Sequence, residues 1–372
     1  MPASFFRRFT RRFFVIVTAL LSIVFILSCL VAYLNPATWW VIGFLGLTLP
    51  YLIVVLIFSL IFWLIFNPKY SLIPLLALLV GIQQIKVLFA FHPGASFSYT
   101  KPNNDLRIVT WNVRNFVPLS NRKAKEKYTR EGVADAVART DADIVCLQEF
   151  NNSTTRPDAD NIGLFSKKYP YNFYSRDQEK KAGYYEYGSI IFSRYPIIAS
   201  QRIPYEGINP ESLIFIDILK GTDTIRIFTT HLQSFKFTGN DYDGMEKIKE
   251  QDEEAVQASK SIIKKMKLAF TRRGLQATRV KNALDNSPYP TIICGDFNDV
   301  PNSYTYFKIK GNYKDAFLLQ SFGIGRTYNA LAPTLRIDYI LADPRFIVRQ
   351  FDMVDEDLSD HIMLVSDVSI QK

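Results

Sequence analysis

The chain reads as an apolar anchor joined to a layered α/β domain, and three features carry that reading. Its composition breaks near residue 95: no Asp or Glu precedes that point, and long apolar runs fill the stretch. Beyond it, short runs rich in Ile, Val, Phe and Thr alternate with helical stretches. The polar motifs that stand out lie at the ends of those runs rather than inside them.

The anchor comes first. Phe13 to Leu34 and Trp39 to Phe66 are each long enough to cross a hydrocarbon core, which takes about 20 residues. A third run, Tyr70 to Phe91, is interrupted by Gln83, Gln84 and Lys86. A cleaved signal peptide would have a shorter apolar region, with no further spans after it. Arg7, Arg8, Arg11 and Arg12 precede the first run, Asn35 to Thr38 carries no charge, and Lys69 lies in the second loop. Basic flanks stay in the cytoplasm. Three spans are therefore expected, in a multi-pass protein of the cell membrane whose large C-terminal part is non-cytoplasmic. If the third run only lies at the interface, that part is cytoplasmic. The expected division is a membrane anchor over 1–92, a linker of loop composition over 93–105 and a folded domain over 106–372.

The net charge of +9 has to be divided. Six of the 44 basic residues and none of the 35 acidic ones lie in the first 96, leaving 38 basic against 35 acidic, a net of +3. A protein that grips long nucleic acid usually carries a stronger basic footprint, so this balance lowers that reading without removing it. Cys29, Cys146 and Cys294 form no paired framework. The latter two read as small buried apolar residues.

In the folded domain, strands are expected at Leu106–Trp111, Asp143–Leu147, Ser189–Ser193, Leu213–Leu219, Ile225–Thr230, Thr291–Cys294, Ile337–Leu341 and Leu364–Ile370. Leu213–Leu219 is almost wholly apolar, as in a sheet covered on both faces. Helices are expected at Lys123–Arg139 and from about Gly244 to Leu284. Within the second, Ile262, Ile263, Met266, Ala269 and Phe270 share a face, with Lys260, Lys264, Lys265 and Lys267 off it. Such a helix either packs on its own domain or lies on an anionic membrane, the former being favoured.

Glu149 ends an apolar run, a natural place for a carboxylate that binds a hard divalent cation. Asp296 and Asn298 follow Pro290-Thr291-Ile292-Ile293-Cys294-Gly295, and their spacing of two aims both side chains the same way in extended chain. Gly295 permits close backbone approach. His361 adjoins Asp360 and is one of only three histidines. His231 ends a strand-like run, and His92 lies at the membrane boundary.

Thr110-Trp111-Asn112, Gln148-Glu149, Thr230-His231-Leu232, Gly295-Asp296-Phe297-Asn298, Arg336-Ile337-Asp338-Tyr339 and Ser359-Asp360-His361, in this order, resemble the endonuclease/exonuclease/phosphatase superfamily over roughly residues 104–370. The resemblance implies a four-layer sandwich of two mostly antiparallel sheets flanked by helices, and metal-dependent phosphoester hydrolysis with Mg²⁺ or Mn²⁺. It makes Glu149 the main metal ligand, with Asn112 and Asp360 in the metal shell, and Asn112 and Asn298 on the phosphate. Asp296 would orient or deprotonate water, and Asp338 would hydrogen-bond His361 as that residue faces the phosphate. His231 would assist the leaving oxygen. Ser189 departs from the family's small apolar residue, and no Asn precedes it, so specificity does not carry over from any one branch.

The expected function is a membrane-anchored phosphodiesterase or phosphatase acting on a membrane-proximal phosphoester such as a lipid head group. A nuclease is the alternative within the enzyme class, and a non-catalytic phosphate-ligand binding protein the alternative outside it. No protein partner is inferable.

Overall fold

A computed structural model describes residues 2–92, 96–102, 104–117, 130–180, 184–207, 211–250, 255–329 and 332–371. In chain order its first strands are β1 (Ala90–Phe91), β2 (Leu106–Asn112), β3 (Ile144–Asn152), β4 (Tyr171–Tyr174), β5 (Gln178–Lys180), β6 (Tyr185–Ser193) and β7 (Ile197–Pro204). Then follow β8 (Ser212–Lys220), β9 (Asp223–His231), β10 (Thr291–Asp296), β11 (Lys314–Asp315), β12 (Phe322–Gly323), β13 (Asp338–Ala342), β14 (Phe346–Val354) and β15 (Met363–Ile370).

These make two large sheets. One runs β14-β15-β2-β3-β6-β4 with β5 beside β6, and the other runs β11-β13-β10-β9-β8-β7. Side chains alternate across each strand, so every central strand feeds two cores. Ile144 and Cys146 of β3, Ile214 and Ile216 of β8, and Ile292 and Cys294 of β10 fill the space between the sheets. Val145 and Leu147 point outward to the helices Arg130–Arg139 and Asn161–Ser166. Leu213, Phe215 and Ile293 point the other way, to Ala255–Asp285 and Tyr304–Lys310. The result is the expected four-layer sandwich, with β8 covered on both faces.

Two neighbouring pairs are parallel, β2 with β3 and β9 with β10. Their carboxyl ends lie at one edge of the sandwich, where β13 begins antiparallel to β10. All the polar strand ends picked out in the sequence therefore meet at that edge.

The eight expected strands are present, with bounds moved by a few residues. Missed were β7, an edge strand of mixed polarity and mostly exposed, β14, and the short strands β1, β4, β5, β11 and β12. The expected helix from Gly244 is two, Gly239–Glu250 and Ala255–Asp285, with 251–254 outside the described residues. Of the expected helix Lys123–Arg139, positions 123–129 likewise lie outside them. Ile262, Ala269 and Phe270 are buried and Met266 half-buried, so that face packs on protein, whereas Ile263 is exposed and does not belong to it.

The N-terminal part holds α1 (Pro2–Cys29), α2 (Ile42–Phe66), α3 (Leu72–Val80) and α4 (Ile82–Leu88). The first two are long and apolar enough to cross a membrane, and the third candidate is bent by 63° between α3 and α4. Phe58, Ile65, Leu20 and Ile57 face outward, as a lipid-facing surface requires. Inside, Trp63 Nε1 donates to Thr18 Oγ1 at 2.9 Å.

The domain sits on one end of this bundle. Gly46 of α2 lies so close to Asn302 that a Cβ there would come within 2.4 Å of its carbonyl oxygen, and one at Gly43 would strike the Phe270 ring. Asn302 Nδ2 donates to the Gln84 carbonyl at 3.0 Å, and Gln84 Nε2 donates to the Cys29 carbonyl at 3.2 Å. Arg336 Nη2 donates to the Val87 carbonyl at 2.9 Å, and β1 pairs with β12. Gln84, one of the polar residues that weaken the third run as a span, thus serves the joint. Arg7, Arg8 and Arg11 lie with Phe66 and Asn67, away from the residues the domain touches.

Candidate active site

Register brings the site together. Asp296 is paired with His231 across the parallel ladder and with Asp338 across the antiparallel one. Asn112 is paired with Gln148. Gly295 has φ +131, and a Cβ there would lie 2.2 Å from the Thr230 carbonyl oxygen, so the chain tolerates only glycine. At Glu149 the β3–β6 ladder slips between Leu147 and Phe150, and its backbone turns left-handed at φ 48. That irregularity re-aims the carboxylate into the cavity.

Asp296 is the hub. Its Oδ2 accepts from Asn112 Nδ2 at 3.0 Å and lies 3.7 Å from the Nε2 atoms of both His231 and His361. Its Oδ1 accepts from the Asn298 backbone N–H at 2.8 Å. Asn298 itself has φ 52, and its amide donates to the Leu232 carbonyl at 3.0 Å. His361 Nδ1 meets Asp338 Oδ2 at 3.0 Å, and the Asp338 backbone N–H donates to Thr327 Oγ1 at 3.1 Å. His361 is further held by Trp111 Nε1, which donates to its carbonyl at 2.8 Å, and by the Tyr328 ring 4.9 Å away.

Glu149 is oriented by two amides: Asn112 Nδ2 at 3.2 Å and Asn115 Nδ2 at 2.9 Å. His231 Nε2 stands 3.6 Å from it. That nitrogen is buried and has no hydrogen-bond partner. Asp360 faces Arg114 Nε at 3.4 Å. Asn112 Oδ1 accepts the Arg114 backbone N–H at 3.0 Å, so Asn112 touches the site chiefly through its amide N–H groups.

The charges are uneven. Burial raises the Asp296 pKa to about 6, with the Asp338 charge adding to it and the histidines and Asn112 opposing. Burial works against a charged His361, yet the carboxylates of Asp338 and Asp296 outweigh it and push the imidazole up to about 10. Burial also opposes a charged His231, and Glu211, Asp296 and Glu149 carry it above the ordinary range.

These residues line two lobes of one cleft, about 210 Å³ and 240 Å³, that meet at Glu149, Ser234 and Lys236. The first holds Asp296, Asn298, Asp360 and His361, and the second holds His231. Every site residue expected from the sequence therefore lies in or against the cleft. Sequence reading missed Asn115, Thr327 and Tyr328, which touch the site only through the fold.

The donor set suits a hard divalent cation. Glu149 presents a fixed carboxylate, 31% exposed, into the cleft beside Asp360, and an ion such as Mg²⁺ takes only one or two protein carboxylates. Asp296, Asp338 and His361 also cluster within 4.8 Å. There, however, His361 Nδ1 is already engaged by Asp338, which reads as an oriented imidazole rather than a ligand set.

A strand-end constellation of carboxylates, amides and two histidines on a two-sheet sandwich defines a phosphoester-hydrolase type of protein. The chain belongs to the endonuclease/exonuclease/phosphatase family, whose model matches residues 109–361. Residues 11–88 match a second model, described as a domain of unknown function (DUF8431). Similar solved structures include an endonuclease/exonuclease/phosphatase from Beutenbergia cavernae, 19% identical over 72% of this chain and 72% of that one, TM-score 0.49. Another is D. rerio TDP2 humanized by 14 mutations, 18% identical over 72% of this chain and 100% of that one, TM-score 0.49. The human Nocturnin catalytic domain with bound sulfate anion is 19% identical over 73% and 96%, TM-score 0.49. No curated protein matches the chain.

Proposed function

We propose that this protein is a membrane-anchored, Mg²⁺-dependent phosphoester hydrolase that acts on a membrane-proximal phosphodiester or monoester, a lipid head group being favoured. The observation that carries the reading is the convergence on Asp296 of Asn112, His231 and His361, beside the fixed carboxylate of Glu149. Glu149 is the main metal ligand, with Asp360 and Asn112 completing its surroundings. Bound there, Mg²⁺ or Mn²⁺ supplies charge neutralisation on the phosphate.

The chain's own groups do the rest. Asp296, ionised above about pH 6, orients the attacking water and accepts its proton. His361, kept cationic by Asp338, and the amide of Asn298 hold phosphate oxygens, while Asn112, whose Nδ2 donates to Asp296 and Glu149, holds those two carboxylates in place. His231, whose Nε2 has no partner, is free to donate to the leaving oxygen. No covalent intermediate is needed.

The anchor is 1–92, the linker 93–105 and the catalytic domain 106–372, the last non-cytoplasmic if three segments span. A reporter active only outside the cytoplasm, fused after Lys372, is then active, and one fused after Lys69 is not; the reverse at Lys372 reverses the sidedness. For the chemistry, the full-length protein in lipid vesicles is given bis(p-nitrophenyl) phosphate and p-nitrophenyl phosphate with Mg²⁺. EDTA abolishes hydrolysis, and Glu149→Gln lowers it about a thousandfold or more. Full activity in EDTA, or in the variant, rejects the assignment.

A further inference from the structure

The first lobe of the cleft is not walled by the catalytic domain alone. Leu47 of α2 lines it, together with Phe235, Phe237, Val300 and Leu335. Leu47 lies five residues into α2, which at 1.5 Å per residue is roughly 8 Å along the helix from its start at Ile42. Just before that start, Trp39 is 61% exposed and Trp40 carries the Lys267 ammonium 4.9 Å over its ring. Indole rings and a lysine at a helix end mark the head-group level of a bilayer. Leu47 thus brings the cleft within roughly 8 Å of that level along α2.

A continuous line of aromatic rings joins the two places. Trp40 packs on Phe44 at 6.0 Å, Phe44 on Phe270 at 5.2 Å and Phe270 on Phe235 at 5.5 Å. Phe235 stacks on Phe237 at 5.2 Å, and Phe237 meets Tyr242 at 6.3 Å, beside the catalytic cavity. On the far side of Glu149 the second lobe is polar instead, lined by Asp177, Gln178, Lys180 and Glu211. A soluble phosphoester would have no use for this asymmetry, whereas an amphiphile matches it end to end.

We propose that the apolar wall of the first lobe, formed by Leu47 with Phe235 and Phe237, is a subsite for the hydrocarbon part of a lipid phosphoester. The lipid enters sideways from the leaflet bordering the start of α2. Its phosphate then stands at Glu149 and Asp296, and its polar substituent, where it has one, lies in the second lobe. The inference rests on the hydrolase reading above and names its substrate class.

The test uses the full-length protein in vesicles of dioleoylphosphatidylcholine containing dioleoylphosphatidic acid, with bis(p-nitrophenyl) phosphate as the soluble reference. The readout is the ratio of lipid to soluble-ester turnover. Leu47→Trp, which fills the subsite, and Phe237→Ser, which removes its apolar wall, each lower that ratio about tenfold or more. In Glu149→Gln protein, a phosphatidic acid with a diazirine in its acyl chain labels the peptide carrying Leu47 or that carrying Phe235 and Phe237. Soluble-ester hydrolysis with no lipid turnover, or a ratio unchanged in both variants, overturns the subsite and leaves the hydrolase standing. Hydrolysis of neither substrate rejects both.

Discussion

Arg107 and Asp296 are both fully buried charged residues on the sandwich, and they are treated in opposite ways. Arg107 forms a two-pronged pair with Asp367, at 2.7 and 2.8 Å, and its remaining donors reach the carbonyls of Tyr99, Thr140 and Ser98. Asp296 has amide donors on both oxygens, but the cations facing it stand at 3.7 Å and its pKa rises to about 6. Around it, Glu149 and Asn298 hold left-handed backbone and His231 Nε2 lacks a partner. A buried charge whose bonds are complete stabilises and does nothing else. One left short of partners costs stability and keeps its capacity for a ligand.

Breaking the second kind of site tests function with little effect on folding. The largest effect is expected at the His361–Asp338 pair. Asp338→Asn removes the charge that keeps His361 cationic, and turnover falls roughly 10²–10⁴-fold, while the melting temperature stays within a few degrees. Unchanged turnover there rules out a charged, oriented His361.

The first kind should fail the other way. Arg107→Met leaves the buried Asp367 carboxylate with no cation and only the Gln350 amide as a side-chain donor, costing about 3–5 kcal/mol in denaturant unfolding. Activity per folded molecule is retained. A loss of activity without a loss of stability would erase the contrast drawn here.

The pH profile sharpens it further. In the mechanism proposed above Asp296 acts as the carboxylate, so kcat/KM is expected to climb as pH rises through about 6. His361 must be protonated, so it falls again as pH rises through about 10. Asp338→Asn lowers the His361 pKa and draws the alkaline limb to lower pH, and because the Asp338 charge also raises Asp296 the acid limb moves down with it. A profile whose alkaline limb does not move in that variant contradicts the assignment. The smallest effect is expected at the joint: Gln84→Leu strips Asn302 of its side-chain acceptor, at about 1–3 kcal/mol.

Legibility in the sequence followed the same division. Glu149, His231, Asp296 and His361 could be read because each is a reactive type at the end of an apolar run. Asn115 could not, since its reach to Glu149 depends on left-handed backbone at residues 114 to 116. Thr327 and Tyr328 lie in a segment without periodic pattern and reach the site across the fold, Thr327 through its hydroxyl beneath Asp338 and Tyr328 through an isolated bridge to His361. Leu47 read as one more apolar residue of a span, because nothing local distinguishes the face that borders the cleft. Strand β7 escaped notice because an exposed edge lacks the apolar alternation that betrays a covered one.

The joint between bundle and sandwich has a consequence for how the protein is made. Gln84 waits for Asn302, 218 positions later, and Val87 waits for Arg336, 249 positions later. The end of the third apolar segment therefore leaves the ribosome long before the residues that complete it. Until they arrive, β1 has no β12 to pair with. The joint is thus completed only once most of the sandwich has been made, long after α4 itself. Clipping the chain between α4 and β2 would not shed a finished soluble enzyme, because the severed pieces would still hold one another.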